Sequence, residues 1–345
     1  MSALLDSPPF AERDESSLLA EMNALTRWHR AGCPEFGAMW PGDDDAASLE
    51  ALPFVHVGVF KHLLLTTRGA SHQRTLTSSS TSGASPSKIT LDTRSSELQS
   101  ASSLAILRHL VGPDLRPLLI LDDVASLRRP GQLSARTAAA MSLRPLASQI
   151  HFVLDPTTSN PTLREGAVRD ALAGHDELLV YGFTSVLWQA WGEGAGNKLK
   201  ALLRGKTIHF VHSGGWKKLE ALKVDRASFD AALLEGLSSA SSVIDYYGLV
   251  EQVGVIFPLC SAGFRHAPRW AGVIVRDPFT LRALPDSPGM LQLMNTLAWG
   301  APYHNVLTED TGRLAPGPCP CGLTGLRFEL LGRVPKAESR GCANV

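Results

Sequence analysis

Short runs of β-branched and aliphatic residues, each bounded by turn residues, recur along the middle of the chain as buried strands do. They cover residues 117–121, 149–154, 177–181, 207–212, 242–246 and 271–275. Between most of them the apolar positions return at helical spacing, which predicts helices over 95–110, 134–147, 163–173, 185–203 and 229–237. Such alternation predicts an α/β architecture with largely parallel sheets. From Val253 onward glycine and proline become frequent, long helical patterns stop and strand-like runs shorten. Residues 253–330 therefore read as a β-rich third part of a large domain spanning 51–330. Residues 1–50 read as a helical segment with an amphipathic stretch over 15–28, and 331–345 as a polar arm. No internal repeat is visible. The Ser/Thr-rich stretch 75–87 lies between two apolar segments, where a linker would be out of place.

Composition narrows the class. The 345 residues are 44% hydrophobic, ample for a large core. The length exceeds the roughly 250–300 residues at which single cores stop growing, so two or three subdomains are expected. Lys+Arg and Asp+Glu are both 33, and this balance argues against a general nucleic-acid or anionic-membrane binder. No run approaches the ~20 apolar residues of a membrane span. The start, Met1-Ser2-Ala3-Leu4-Leu5-Asp6, lacks the basic and apolar regions of a signal peptide, so a cytoplasmic protein is expected. Five cysteines, an odd number without an export signal, point to thiols or metal ligands rather than disulfides.

Four stretches carry candidate chemistry. Thr77 to Lys88 is a hydroxyl-rich loop ending in a lysine; dense hydroxyls and free N–H groups make an anion site to which the lysine adds a point charge. The plainer reading is a solvated surface loop, and the glycine–lysine–serine/threonine of a Walker loop is absent. Gly214 and Gly215 follow a strand-like run, where open α/β sheets let a nucleotide approach the backbone; a tight strand-to-helix turn explains them equally well. Tyr246-Tyr247-Gly248 offers a ring for stacking, with Glu251 just beyond as a Mg²⁺ ligand. In Thr308-Glu309-Asp310-Thr311-Gly312-Arg313, Asp310 offers a carboxylate able to accept from both ribose hydroxyls, though alone this is an ordinary acidic turn.

Cysteine spacing adds two features. Cys260 with His266, and Cys319 with Cys321, supply three thiols and an imidazole, the donor set of a closed, structural Zn²⁺ site. Unliganded buried thiols are the alternative. Cys33 reads as a structural residue at the end of the N-terminal helix. That leaves Cys342, on a polar and charged stretch beside Arg340, as a thiol fit to react as thiolate.

In this order the pieces resemble the signature of the adenylate-forming (acyl-CoA synthetase and luciferase) superfamily. The resemblance implies the large domain of that fold, two parallel-type sheets sandwiched by helices plus a small β-rich subdomain. It implies that Ser79, Thr81, Ser82, Gly83 and Lys88 handle ATP phosphates and that Gly214, Gly215 and Trp216 line the adenine pocket. Tyr246, Tyr247 and Gly248 would stack on the base, Glu251 hold Mg²⁺, Asp310 the ribose and Arg333 the ribose or phosphate. Phe60-Lys61, the segment from His212 to Lys218, the segment from Asp245 to Gln252 and Arg340-Gly341-Cys342 narrow it to the acyl-protein synthetases of bacterial bioluminescence, the LuxE type. That family activates a fatty acid with ATP, loads the acyl group onto a cysteine at the position of Cys342, and passes it to a reductase partner. Lys88, Glu251 and Cys342 are thus the expected catalytic residues.

Two departures stand out. Ser80 occupies a position where the family loop usually has glycine. The wider superfamily also continues into a lid bearing a catalytic lysine, which is expected to be lacking here. The apolar stretch 181–191 is a candidate wall for the acyl pocket, or an ordinary core helix. Competing readings are an ATP-independent acyltransferase moving an acyl or aryl group between CoA or carrier-protein thioesters through Cys342, and a non-catalytic scaffold of a biosynthetic complex.

Overall fold

The computed structural model describes residues 3–78, 85–123, 133–134, 139–216 and 221–334. Its strands are, in chain order, β1 (Val55–His56), β2 (His72–Thr77), β3 (Lys88–Asp92), β4 (Arg116–Ile120) and β5 (Leu133–Ser134). Then follow β6 (Ala147–Phe152), β7 (Glu177–Phe183), β8 (Thr207–Ser213), β9 (Ser242–Tyr247) and β10 (Phe257–Pro258). The last are β11 (Arg265–His266), β12 (Ala271–Arg276), β13 (Gly289–Asn295), β14 (Asn305–Leu314) and β15 (Arg327–Arg333).

The first large sheet has the order β10-β9-β8-β7-β4-β6. Its strands β4, β6, β7, β8 and β9 pair in parallel, and only β10 runs against its neighbour. Burial explains why its strands read as unbroken apolar runs. Every residue of β4 and Leu178 to Gly182 of β7 are buried, because helices cover both faces of a parallel sheet. One face packs on the helices Glu165–Leu172, Asn197–Leu203 and Arg226–Leu234. The other face receives Leu107 and Val111 of the helix Thr93–Val111.

The second large sheet has the order β11-β15-β14-β13-β12, with β1 added in parallel to β14. Here the expectation of two parallel-type sheets needs correction: apart from β1, this sheet is antiparallel. Its strands follow one another through turns with no intervening helix, and parallel neighbours require a crossover. The helix Glu15–Gly32, capped by Asp14 accepting from the Ser16 N–H, covers this sheet with Leu18, Met22 and Leu25. Gly272 leaves room for both layers, since a Cβ there would lie 3.4 Å from Leu18 Cδ2 of the helix and 2.8 Å from Cγ of its cross-strand neighbour Met294. A third sheet, β3-β2-β5, carries the hydroxyl-rich loop between β2 and β3.

Two expected helices are reshaped. Residues 185–203 break into a helix Thr184–Leu187, a π-turn Trp188–Gly192 and the helix Asn197–Leu203. This break requires the glycines: a Cβ on Gly192 would lie 2.7 Å from the Trp188 ring, and one on Gly194 would lie 2.3 Å from the Gln189 carbonyl. Of the expected helix 134–147, residues 139–141 are helical and a turn of 3₁₀ helix follows at Arg144–Leu146; Leu133–Ser134 forms β5, Ala147 begins β6, and 135–138 lie outside the described residues. No helix among the described residues is long and apolar enough to cross a membrane.

Candidate functional site

The carboxyl end of the parallel sheet faces β14 of the second sheet, and the polar groups gather at that seam. Tyr247, the last residue of β9, donates its hydroxyl to Asp310 Oδ2 at 2.7 Å. Asp310 stands on β14 directly opposite Arg333 of β15, whose Nε donates to Oδ1 at 3.0 Å. One carboxylate thus receives a donor from each large sheet. Burial, and then the adjacent Asp310 carboxylate, hold the Tyr247 hydroxyl well above its ordinary pKa, so it stays a donor. Its ring packs against Phe257 and Phe328, which also touch each other.

Glu251 lies in a turn of 3₁₀ helix just past β9 and is only 4% exposed. Burial raises its carboxyl pKa, while a hydrogen bond with Ser87 and the charge of Lys61 offset part of that cost. Ser87 closes the foot of the hydroxyl loop: its N–H donates to Ser78 Oγ at 2.9 Å and its carbonyl accepts from the Ser78 N–H at 3.0 Å. Lys88 opens β3 opposite Thr77 and is exposed. Lys61 arrives through β1, which pairs with β14, and its Nζ lies 3.6 Å from Glu309. The donors and carboxylates at the seam are those a nucleotide with a divalent cation would need; Glu251, nearly stripped of water, is the carboxylate with most to gain from a cation.

The glycine pair sits at the end of β8. Gly214 has φ +79°, a conformation that favours glycine, and no atom lies within 4 Å of the place a Gly215 Cβ would take. The backbone there faces open space.

The structure places the other expected residues unevenly. Trp216 is buried against Trp188 and Phe229, with ring centroids 6.0 and 6.1 Å away, so its ring belongs to the core rather than to a nucleotide pocket. Tyr246 is likewise buried, beside Ser213 and Tyr181. Alternation along β9 explains why only one of the tyrosines reaches the seam. Gly248 packs under the Val255 carbonyl, 3.4 Å from where its Cβ would be. In the 181–191 stretch Leu187, Trp188, Ala190 and Trp191 are core. Cys33 is buried at the junction of two helices, where burial raises its thiol pKa, as expected of a structural residue. Ser79, Ser80, Thr81, Ser82, Gly83, Lys217, Lys218 and Cys342 lie outside the described residues. Ser87 stood in the sequence only as one hydroxyl of the loop, and Lys61 entered only through the resemblance; each needs the tertiary fold to reach the seam.

Away from this seam, Cys260, His266, Cys319 and Cys321 come together with all ligating atoms within 4.8 Å of one another. Cys260 Sγ and Cys319 Sγ are 3.8 Å apart, and Cys321 Sγ is 3.4 Å from His266 Nε2. A tetrahedral ion with Zn–S bonds of about 2.3 Å sets its sulfurs about 3.8 Å apart, so the donor set fits zinc in kind and in spacing.

Comparison with known proteins places this geometry in a family. The acyl-protein synthetase (LuxE) family matches residues 30–345. The long-chain-fatty-acid–luciferin-component ligase of Aliivibrio fischeri is 27% identical over 142 residues, 40% of this chain and 37% of that protein. That of Vibrio harveyi is 28% identical over 144 residues, 40% of this chain and 36% of that protein. These matches span little more than a third of each relative. Among solved structures, an open conformation of 2-hydroxyisobutyryl-CoA ligase in complex with 2-HIB-AMP and CoA superposes with a TM-score of 0.64 at 15% identity, over 94% of this chain and 76% of that one. The same ligase in its postadenylation state gives 0.63 at 14% identity, over 93% and 68%. At such identity the likeness speaks for the fold.

Proposed function

The chain belongs to the acyl-protein synthetase (LuxE) family, and on that footing we propose that it activates a carboxylic acid with ATP and carries the acyl group as a thioester. A carboxylate oxygen of the acid bonds to the α-phosphorus of ATP, the bond to the bridging oxygen breaks, and pyrophosphate leaves. The Cys342 thiolate then attacks the acyl carbonyl, AMP departs, and the thioester passes to an acceptor protein, an acyl reductase or a carrier protein. The two relatives are named for long-chain fatty acids, and a fatty acid is the substrate class we carry over.

The observation that carries this reading is the meeting of Tyr247, Asp310 and Arg333 with Glu251 at the foot of the hydroxyl loop. Asp310, held by two donors, is set to accept from ribose hydroxyls. Its partners keep its lone pairs directed. Ser79, Thr81, Ser82, Gly83 and Lys88 supply hydroxyl, N–H and ammonium donors to the phosphates. Arg333, mostly exposed on its own strand, adds a second cation. Tyr247 and the backbone at Gly214, Gly215 and Gly248 bound the space for the base. Mg²⁺, held through Glu251, would neutralise phosphate charge when bound. The remaining catalysis is preorganised electrostatics around the α-phosphate. Zinc at Cys260, His266, Cys319 and Cys321 would be structural.

The test is pyrophosphate release on mixing the protein with ATP, Mg²⁺ and a panel of acids of graded chain length, followed by intact-mass measurement. An adduct whose mass is that of an acyl group, present with ATP and lost in Cys342→Ala, is the expected result. No pyrophosphate with any acid, but acyl loading from a CoA thioester, would instead make the protein an ATP-independent acyltransferase. No adduct by either route would leave a scaffold.

A further inference from the structure

The end of β8 holds a buried polar chain that the adenylation chemistry does not use directly. Phe183 of β7 pairs with Ser213 of β8, so the next residue, Thr184, lies beside Gly214. Thr184 is 7% exposed and His212 3%. The Thr184 hydroxyl is 2.8 Å from the Gly214 carbonyl, 3.2 Å from the Ser213 carbonyl and 3.0 Å from His212 Nδ1. A hydroxyl has one proton. Both carbonyls can only accept, so that proton goes to a carbonyl, at Gly214 by distance, and the contact with His212 must use the Nδ1–H as donor. The bonds then run in one direction, from His212 Nδ1–H to Thr184 Oγ1 and from its O–H to the Gly214 carbonyl. His212 Nε2, left as the acceptor, is buried without a protein partner. Phe229 lies against the imidazole at 4.9 Å and fixes its plane. The residue held at the end of this chain is the one with φ +79°, and the backbone just beyond it borders open space.

We propose that Thr184, oriented by His212, is a positioning residue that sets the Gly214–Gly215 turn to receive the adenine ring of ATP. This rests on the ATP reading given above. The turn's shape is not dictated by its glycines, which are free to adopt many conformations. A directed hydrogen bond to the Gly214 carbonyl selects one of them in advance, so ATP does not meet that ordering cost on binding.

The experiment compares wild type with Thr184→Val, Thr184→Ser and His212→Leu in acid-dependent ATP–pyrophosphate exchange, with thermal unfolding of each. Thr184→Val keeps the shape and removes both bonds; it should raise KM for ATP about tenfold, the worth of one buried hydrogen bond. The maximal rate and KM for the acid should stay within about twofold. Thr184→Ser, which restores the hydroxyl, should recover most of the affinity. His212→Leu, which leaves the Thr184–Gly214 bond without its orienting donor, should fall between the two. A Thr184→Val protein with unchanged KM for ATP, or one in which both KM values and the rate worsen together without rescue by serine, overturns the proposal. If wild type shows no exchange with any acid, ATP affinity is read by calorimetry on the same proteins, with the same tenfold expected. Wild type that binds no ATP sinks both readings, whereas binding that is indifferent to Thr184 sinks only this one.

Discussion

Removing a metal from the Cys260–His266–Cys319–Cys321 cluster is the perturbation whose size the structure lets one work out. Cys260 and Cys319 are 59 residues apart in sequence, yet their sulfurs are 3.8 Å apart in the fold. An unfolded chain can hold a metal through both thiolates only by closing that loop, at an entropic cost of about 4 kcal/mol. The folded chain has already closed it, because β11 pairs with β15 and brings His266 opposite Arg327. A bound Zn²⁺ therefore favours the folded state by about that amount, even when it also binds the unfolded thiols. For a chain of this size the difference corresponds to a fall in Tm of about 5–6 °C when the metal is stripped. The assay is metal content by elemental analysis, then thermal unfolding before and after a strong chelator. Cys321→Ser and Cys319→Ser serve as genetic counterparts. One zinc per chain and a chelator-induced fall of the stated size are expected. Protein purified without metal, or protein whose Tm moves by less than about 2 °C once metal is shown to be gone, would refute the argument.

Three further outcomes follow from the same structure. Cys342→Ala should abolish the covalent acyl adduct while leaving acid-dependent pyrophosphate release within about threefold, since the thiol enters after adenylation; loss of both together would place the cysteine elsewhere in the reaction. Gly312→Ala should destabilise the protein by about 2–3 kcal/mol, because its Cβ would lie 2.4 Å from the Glu329 carbonyl and 2.7 Å from Leu291 Cδ2. Gly166→Ala, in a helix with nothing within 4 Å, is the neutral or mildly stabilising control in the same unfolding series. Stability should also fall as pH drops from about 6.5 to about 4. Burial depresses His29 and His212 to about 4 and His304 well below its ordinary value, so the unfolded state binds protons that the folded state refuses. His29 and His212 each contribute about 3 kcal/mol above that window. The raised carboxyl of Glu251 acts in the opposite sense. A Tm that does not fall between pH 7 and pH 5 would show that these histidines are hydrated.

The parallel sheet was legible because its central strands β4, β7 and β8 are largely buried on both faces, and such strands write apolar runs. Five of the six runs, at 117–121, 149–154, 177–181, 207–212 and 242–246, match β4, β6, β7, β8 and β9 to within a few residues. The sixth, 271–275, is β12 of the other sheet, equally apolar because the helix Glu15–Gly32 covers it. Apolar density reports burial but not direction, which is why the antiparallel character of that sheet was hidden. It lay in the missing crossovers rather than in the strands. The break in the 185–203 helix was written in Gly192 and Gly194. A reading by hydrophobic period gives glycine no weight, and the cost of a Cβ at those places depends on Trp188 and the Gln189 carbonyl, which only the fold brings near.

The site was legible to a different depth at each residue. Asp310, Tyr247 and Glu251 stood out as residue types in short patterns, and the fold draws two of them into one hydrogen bond and the third to the foot of the hydroxyl loop. Trp216 and Tyr246 stood in the same patterns and went to the core, because neighbours along a strand point to opposite faces and a motif carries both. The cysteine cluster was readable from donor type alone, since three thiols and an imidazole have few other uses, although its closure depends on the β11–β15 pairing. Thr184 was unreadable. It is one hydroxyl among many in the chain, and its standing comes from pairing Phe183 with Ser213 so that the next residue falls beside a left-handed glycine. A motif thus names candidates for touching a ligand, while the register of the sheet decides which of them face the site and which neighbours hold them in place. Exchanging Thr184 and Tyr247 in turn separates these two kinds of residue. Thr184→Val acts through Gly214 and should be rescued by serine, whereas Tyr247→Phe removes a donor from Asp310 itself and should weaken ATP binding although the Thr184 hydroxyl is intact.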